Sequence, residues 1–449
     1  MIKFRVGTRS PRVDALLYQL LRVDDIASLE KTSKQTRKIL VSKVRNNLVP
    51  ASSIPSPSAP PQFLYLTCQR GAEPALKNEM ARRRPNYRFS YSRPGFLTFR
   101  APAAESVEKR LAVDIPTLRL VFARSCAHSL GRVSARECAA ASGGFDRAEG
   151  LSRVWELAES EFGANSRGAL DASRAGRAFP TLARVHVWER DRFNVGVRGF
   201  EPGLTPAAYA LHAELMAAAP ETFRAAFGAD ARRLDAPGEP GEVVLDVVMV
   251  EEDEWHVGFH RVSDPHSRYP GGLFPLALPT DAASRAFLKF EEGLRWAQFP
   301  IGVGSRCVDI GSAPGGGSQA LLARGAFVLG VDPAEMDPRV LANPNFTHLR
   351  GKINQLKRKL FRKSRWFLTD MNVAPNYTLD ALEEIVMREE VAARGLLFTL
   401  KFFEWKLADE LPEYLSRVKS WGFNHVKARQ LQYNRQEIMV AALKKPFRK

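Results

Sequence analysis

The chain has 449 residues, 45% of them hydrophobic, and 66 Lys/Arg against 49 Asp/Glu give a formal charge of +17. That length exceeds what one hydrophobic core usually serves, so two or three domains are expected, and the charge favours a polyanionic partner, nucleic acid first. No window approaches the roughly 18 consecutive apolar residues of a membrane span, no cleavable signal pattern opens the chain, and Cys68, Cys126, Cys138 and Cys307 lack metal-ligand spacing, so four core cysteines, no bound metal and a cytoplasmic setting are expected.

Residues 1 to 50 carry eleven Lys/Arg against four Asp/Glu, with a possible amphipathic helix around Val13 to Leu21. They read either as a basic arm or as a start-codon artefact. The Pro/Ser-rich PASSIPSPSAPP that follows can bury little and reads as an extended linker, so residues 1–61 stand apart. From Phe63 the pattern turns globular: an alternating strand FLYLTC, a helix from Glu73 to Arg83 and a strand near Gly95 to Arg100 form a small module over 62–112. A further module over 113–275 contains LRLVFARS and two pieces that each read as strand, polar turn, strand: RVHVWERDRFNVGVRGF and VVLDVVMVEEDEWHVGFHRV. The two pieces are weakly alike, as a repeat or as a common strand pattern would make them. Gly/Pro-rich residues 236–241 read as a loop. After HSRYPGGLFPLALP a helix begins near Ser284, and strands then alternate with helices as in a doubly wound sheet, so 276–449 reads as an α/β domain.

Within that domain RCVDIGSAPGGG (residues 306–317) runs an apolar strand into a Gly-rich turn that should start a helix at Ser318. The next strand, AFVLGVDP, ends at Asp332, where an acid can accept hydrogen bonds from a ribose diol; the spacing suits an adenosyl cofactor. Asp332 in isolation could simply cap a turn with Pro333, but in combination with the Gly-rich turn the ligand role is favoured. No GxxxxGK[ST] loop occurs, which disfavours a nucleoside-triphosphate enzyme.

Further along, RWFLTDM ends a strand at Asp370, and ligands of open α/β sheets bind at the carboxyl ends of strands. GLLFTLKFFEW places Lys401 in an apolar run, where an ammonium is costly unless it is paired or its pKa is lowered; snorkelling is the alternative. NRQEIMVAALKK puts Glu437 at the entrance to another apolar strand, and Lys289 lies off the apolar face formed by Phe287, Phe290 and Leu294.

The ordered set SRAFLKFEEGL, DIGSAPGGG, GVDPAEMDP, TDM, TLK and ARQLQYNRQEIMV resembles the ribosomal RNA large-subunit methyltransferase M family (RlmM), within the FtsJ-like ribose 2′-O-methyltransferases with a K-D-K-E tetrad. The resemblance covers most of the C-terminal third. It implies a Rossmann-like S-adenosyl-L-methionine-dependent domain over 276–449, preceded by α+β ferredoxin-like (62–112) and THUMP-like RNA-binding (113–275) modules that YLTCQRGAEPALKNEM and LRLVFARS match more faintly. It further implies cofactor contacts from Ser284, Gly311, Ala313, Pro314, Gly315, Gly316, Asp332 and Asp370, catalysis by Lys289, Asp370, Lys401 and Glu437, and a cytidine ribose of large-subunit ribosomal RNA as substrate. A monomer is expected. Lys401 would be the base, its pKa lowered by burial and by the Lys289 ammonium, while Asp370 and Glu437 orient both lysines.

Two positions depart from the family pattern: Gly317 where relatives place an aromatic, and Lys352 where they place an acid near the adenine. Arg350 to Arg365 hold eight Lys/Arg and no acid, as an RNA-gripping helix or a solvated basic face. A base methyltransferase would need an NPPY-like motif or a catalytic cysteine, and neither is present. A non-catalytic RNA-binding or assembly protein is the alternative from another class, and the intact tetrad argues against it.

Overall fold

A computed structural model describes residues 62–104, 106–140, 143–163 and 180–446; the arm, linker and possible helix expected within 1–61 lie outside them. The first seven strands are β1 (Phe63–Thr67), β2 (Arg88–Arg93), β3 (Phe96–Arg100), β4 (Ser125–Ser134), β5 (Leu182–Glu189), β6 (Val243–Glu251) and β7 (Glu254–Arg261). They form one sheet in the order β2-β3-β1-β4-β7-β6-β5. The segments assigned to 62–112 and 113–275 therefore share a sheet, because β1 pairs antiparallel with β3 on one side and β4 on the other.

Helix α1 (Glu73–Arg83) begins with Glu73 and Pro74, residue types that suit a first turn, and ends in Arg82 and Arg83. Helices α2 (Arg147–Phe162) and α3 (Pro206–Ala217) start behind Asp146 and Thr205, whose side chains accept hydrogen bonds from Glu149 N and Ala208 N. Val154, Trp155 and Ala158 of α2 and Leu211 and Leu215 of α3 pack on Val185, Val187, Leu245 and Val247.

In LRLVFARS, β4 starts only at the last residue, Ser125, and the buried Val121 and Phe122 N–H groups go to the Glu79 carboxylate at 2.9 and 3.2 Å. One expectation for this half needs correction. The second hairpin is present as β6 and β7, but the first is not. Gly196 and Arg198 take left-handed φ values of 78° and 52°, which breaks the extended run after β5, and β5 pairs parallel with β6 instead.

The second sheet holds β8 (Arg306–Ile310), β9 (Phe327–Asp332), β10 (Phe346–Arg350), β11 (Trp366–Thr369), β12 (Gly395–Lys401), β13 (His425–Arg429) and β14 (Glu437–Leu443) in the order β10-β9-β8-β11-β12-β14-β13. Strands β10 through β12 are parallel, and β14 and β13 are antiparallel to their neighbours. Helices α4 (Ala286–Ala297) and α5 (Gly316–Leu322) contribute Phe290, Leu294, Ala320 and Leu321 to one face of this sheet. On the other face α6 (Pro375–Val386) and α7 (Leu411–Ser420) contribute Leu379, Leu382, Leu411 and Val418. This is the doubly wound Rossmann-like α/β arrangement, and its strand order reverses between β8 and β11, where a crevice opens beyond the strand ends.

The two sheets are joined by a continuous core and by residues 429–434. Leu64, Leu66, Leu76 and Met80 belong to the same apolar cluster as Phe367, Leu396 and Phe398. The Gln69 side-chain amide donates to Leu431 O at 2.7 Å and Asn434 O at 2.6 Å, and Gln430 N donates to Val121 O at 2.8 Å. The fully buried Glu292 carboxylate accepts from Gln432 N (2.7 Å), Tyr433 N (3.0 Å) and His266 Nε2 (3.0 Å).

All four cysteines are buried free thiols. Arg350 to Arg365 form no α-helix: β10 ends at Arg350 and two 3-10 turns follow, at Ile353–Gln355 and Arg358–Leu360. Among the described residues no helix is long and apolar enough to cross a membrane.

Candidate active site

The crevice owes its floor to strand register. Lys401 is the last residue of β12 and Glu437 the first of antiparallel β14, and the two face each other as Cα partners. Asp370 follows the end of β11, the neighbour of β12, while Lys289 comes down from the start of α4. All four sequence-predicted residues meet. Lys289 Nζ lies 3.1 Å from Asp370 Oδ2 and 2.6 Å from Glu437 Oε1. Lys401 Nζ lies 2.7 Å from Asp370 Oδ1 and also bonds Glu437 Oε2. Each ammonium thus bridges both carboxylates in a closed ring, with Glu437 2% exposed and both lysines below a tenth.

The electrostatics correct one expectation. Burial does act to lower the Lys401 pKa, but Glu437 and Asp370 outweigh it and push the amine up to about 12. Sequence gave the burial and could not give the two carboxylates at bonding distance. Burial likewise acts to raise the Asp370 carboxyl, yet Lys289, Lys401 and a 2.6 Å hydrogen bond from Thr399 Oγ1 hold it below its ordinary value. Thr399 was missed; it lies two residues before Lys401 and so shares its face of β12, a signal that strand periodicity carries.

A cleft of about 650 Å³ lies over this ring, within the range of small-molecule sites. Of the expected cofactor contacts, Ser284, Gly311, Ala313 and Asp370 line it. Pro314, Gly315, Gly316 and Asp332 are outside its lining and shape the loop behind. Asp332 accepts from Ala313 N at 3.1 Å and Ala334 N at 2.7 Å, so it caps the turn as well as ending β9. Gly311 has a φ of 74°, and a Cβ there would stand 2.5 Å from Met371 Cγ. At Gly317 a Cβ would stand 2.8 Å from Phe290 Cε2: the ring of α4 occupies the room an aromatic after APGG would need. Together these glycines bring backbone close to the cleft beside a carboxylate, with no side chain of their own to fill it, which fits the adenosyl and amino-acid parts of S-adenosylmethionine. Lys352 is exposed and outside the cleft.

The cleft also contains residues that sequence reading did not single out. Asp309 is buried and takes a 2.7 Å hydrogen bond from Ser318 Oγ; burial, with Asp370 and Asp332 nearby, pushes its pKa up to about 7. An acid inside the apolar strand RCVDI was the available signal. Phe403, 59% exposed, stands at the cleft with Asn372 and Arg435.

The FtsJ-like methyltransferase family profile matches residues 282–437. Among curated proteins, the chain is similar to Ribosomal RNA large subunit methyltransferase M of Pseudoalteromonas translucida, 26% identical over 44% of this chain and 56% of that protein. The protein of the same name from Laribacter hongkongensis is 31% identical over 40% of this chain and 53% of its own length. The chain therefore matches little more than half the length of these relatives. Likeness to solved structures is weak: a ribosomal RNA methyltransferase from Plasmodium falciparum aligns at TM-score 0.29 and 21% identity over 36% of this chain and 97% of its own. TrmN from Thermus thermophilus aligns at TM-score 0.28 and 15% identity over 85% of this chain and 99% of its own.

Proposed function

We propose that this chain, whose residues 282–437 are an FtsJ-like methyltransferase domain, methylates a ribose 2′-hydroxyl in large-subunit ribosomal RNA in the cytoplasm, acting as a monomer. The observation that carries the reading is the closed ring of Lys289, Asp370, Lys401 and Glu437 under a cofactor-sized cleft.

Bound S-adenosylmethionine supplies an electrophilic methyl group on a sulfonium. Ser284, Gly311, Ala313 and Asp370 would hold it directly, with Pro314, Gly315, Gly316 and Asp332 fixing the loop that carries them. The remaining work is to place a ribose oxygen in line and remove its proton. Lys401 Nζ is the acceptor: it sits beside Asp370 at the crevice floor and must first shed its own proton, which Glu437 and Asp370 oppose. The neutral amine is therefore scarce at pH 7, and the rate should be limited by its population. Lys289, tied to the same carboxylates, keeps a positive charge near the oxygen as it becomes anionic. Phe403 offers a face on which the neighbouring base can stack. The exposed Arg350, Lys352, Lys357, Lys359, Arg362, Lys363 and Arg365 lie on the same domain and suit phosphates.

The test is incubation of unmodified ribosomal RNA with tritiated S-adenosylmethionine, comparing wild type with Lys401→Ala. Alkali-resistant label from wild type and none from the variant is expected. Label that survives Lys401→Ala would remove the base, and RNA binding without any labelling by wild type would favour a non-catalytic assembly protein.

A further inference from the structure

A second polar cluster lies in the first sheet, away from the crevice. His186 on β5 and Asp246 on β6 are register partners, so their side chains share one face. His260 on β7 pairs with Val244, two residues from Asp246 on β6, and joins the same face. One ligand atom from each of the three lies within 4.8 Å of the others, and His186 and Asp246 are essentially fully buried.

Their hydrogen bonding is incomplete in a specific way. His260 Nε2 is 2.9 Å from the Ser267 carbonyl oxygen, which can only accept, so Nε2 carries the hydrogen. That leaves Nδ1 facing Asp246 Oδ2 at 2.5 Å, a hydrogen bond that holds a proton between the two when no metal is bound. A ring whose far N–H is tied to a backbone carbonyl is the usual posture of a metal-ligating histidine. Among the described residues, both ring nitrogens of His186 and Oδ1 of Asp246 have no hydrogen-bond partner, and His186 Nδ1 and Asp246 Oδ1 stand 3.8 Å apart, although buried polar atoms are seldom left so.

We propose that His186, Asp246 and His260 bind a divalent late first-row metal ion, zinc foremost. One cation facing His186 Nδ1, His260 Nδ1 and an Asp246 oxygen would satisfy these groups together. Two imidazoles and one carboxylate suit zinc, whereas magnesium and calcium take mostly oxygen ligands. A pocket of about 30 Å³ lined by Asp246, His260 and Ser267, though not by His186, has room for one water on that side of the cluster. The ion would tie β5, β6 and β7 together beneath residues 263–272, the segment through which His266 reaches Glu292 of the methyltransferase domain. The role is structural. The expectation of no metal rested on cysteine spacing, and three ligands on three separate strands leave no local motif.

The experiment uses the full chain purified without a polyhistidine tag. Elemental analysis should find close to one zinc per chain in wild type and less than about a tenth of that in Asp246→Asn and His186→Gln. Cobalt added to the chelator-stripped wild type should give a visible d–d spectrum without the intense thiolate charge-transfer band, since no ligand is sulfur. Zinc should raise the melting midpoint of the stripped protein. Wild type with less than about a tenth of an equivalent of metal and no melting shift on adding zinc would overturn the proposal and leave a proton shared by His260 and Asp246. Equal metal in wild type and variants would also overturn it, by locating the ion elsewhere. If either variant fails to fold, the cobalt spectrum and zinc titration of wild type decide alone.

Discussion

The two seven-stranded sheets each gather ionisable groups, and they do so in opposite ways. In the second sheet Lys401, Glu437 and Asp370 sit at strand ends, every charge bonded to two partners and the ring open to a cleft. In the first sheet His186, Asp246 and His260 lie within strands, the first two buried and the third nearly so, with nitrogens and an oxygen left without hydrogen bonds among the described residues. An edge cluster can meet an RNA ribose; an interior cluster can meet only what a folding chain encloses. The contrast teaches that location along the strand, more than residue type, separates a reaction site from a structural one.

Substitution tests that division. The largest effect should come from Lys401→Met, which removes the proposed proton acceptor and should cost about 10²- to 10⁴-fold in single-turnover rate; a loss under about tenfold would break the edge-site reading. At the junction of the sheets, Glu292→Ala strips three donors of their shared acceptor and should cost about 3 to 5 kcal/mol in denaturant unfolding, with methyl transfer retained at low temperature. Phe403→Ala should weaken RNA binding by about 1 to 3 kcal/mol with little change in cofactor affinity, as filter binding at fixed salt would show.

The pH profile sharpens the comparison further. With Lys401 held at about 12, the neutral amine grows about tenfold per pH unit from neutrality upward, and the single-turnover rate should rise with it. Glu437→Gln removes a charge that raises that pKa, so the limb should move to lower pH even though the maximal rate falls. A limb that stays in place would take the base role from Lys401. The smallest effect belongs to the exposed basic segment: Lys359→Ala with Lys363→Ala should flatten the salt dependence of RNA binding by roughly 0.7 per lysine in a log–log plot.

Much of the crevice was legible because its residues interrupt apolar strands. Asp370 after RWFLT and Lys401 at the end of GLLFTLK are charges that burial would forbid without a partner, and alternation of strands and helices placed both at one sheet edge. Their mutual distances were not legible, since the Lys401–Glu437 pairing depends on antiparallel register across an intervening helix and strand; hence the pKa direction was misjudged. The first sheet read less well. RFSYSR of β2 is a polar edge strand with little apolar patterning, and LRLVFA is buried yet irregular because Glu79 supplies the acceptors a strand partner would have given. The false second arm after β5 had strand-like residues and a backbone that turns left-handed at Gly196 and Arg198. In the basic stretch after Arg350, charge was visible and helix was inferred from it without an apolar stripe to support one.

Residues 429–434 carry hydrogen bonds that bolt one sheet to the other, and they run from the last residue of β13 into the connection to β14. The strand that supplies Glu437 therefore begins where the clamp ends. Anything held by the first sheet would be presented to the second as in a machinist's jig, at a span set by the fold. Such a tool selects its workpiece by measurement: were the first sheet to hold RNA, as the resemblance to THUMP-like modules implies, lengthening that RNA by a single nucleotide between the held part and the crevice would bring a different ribose to Lys401.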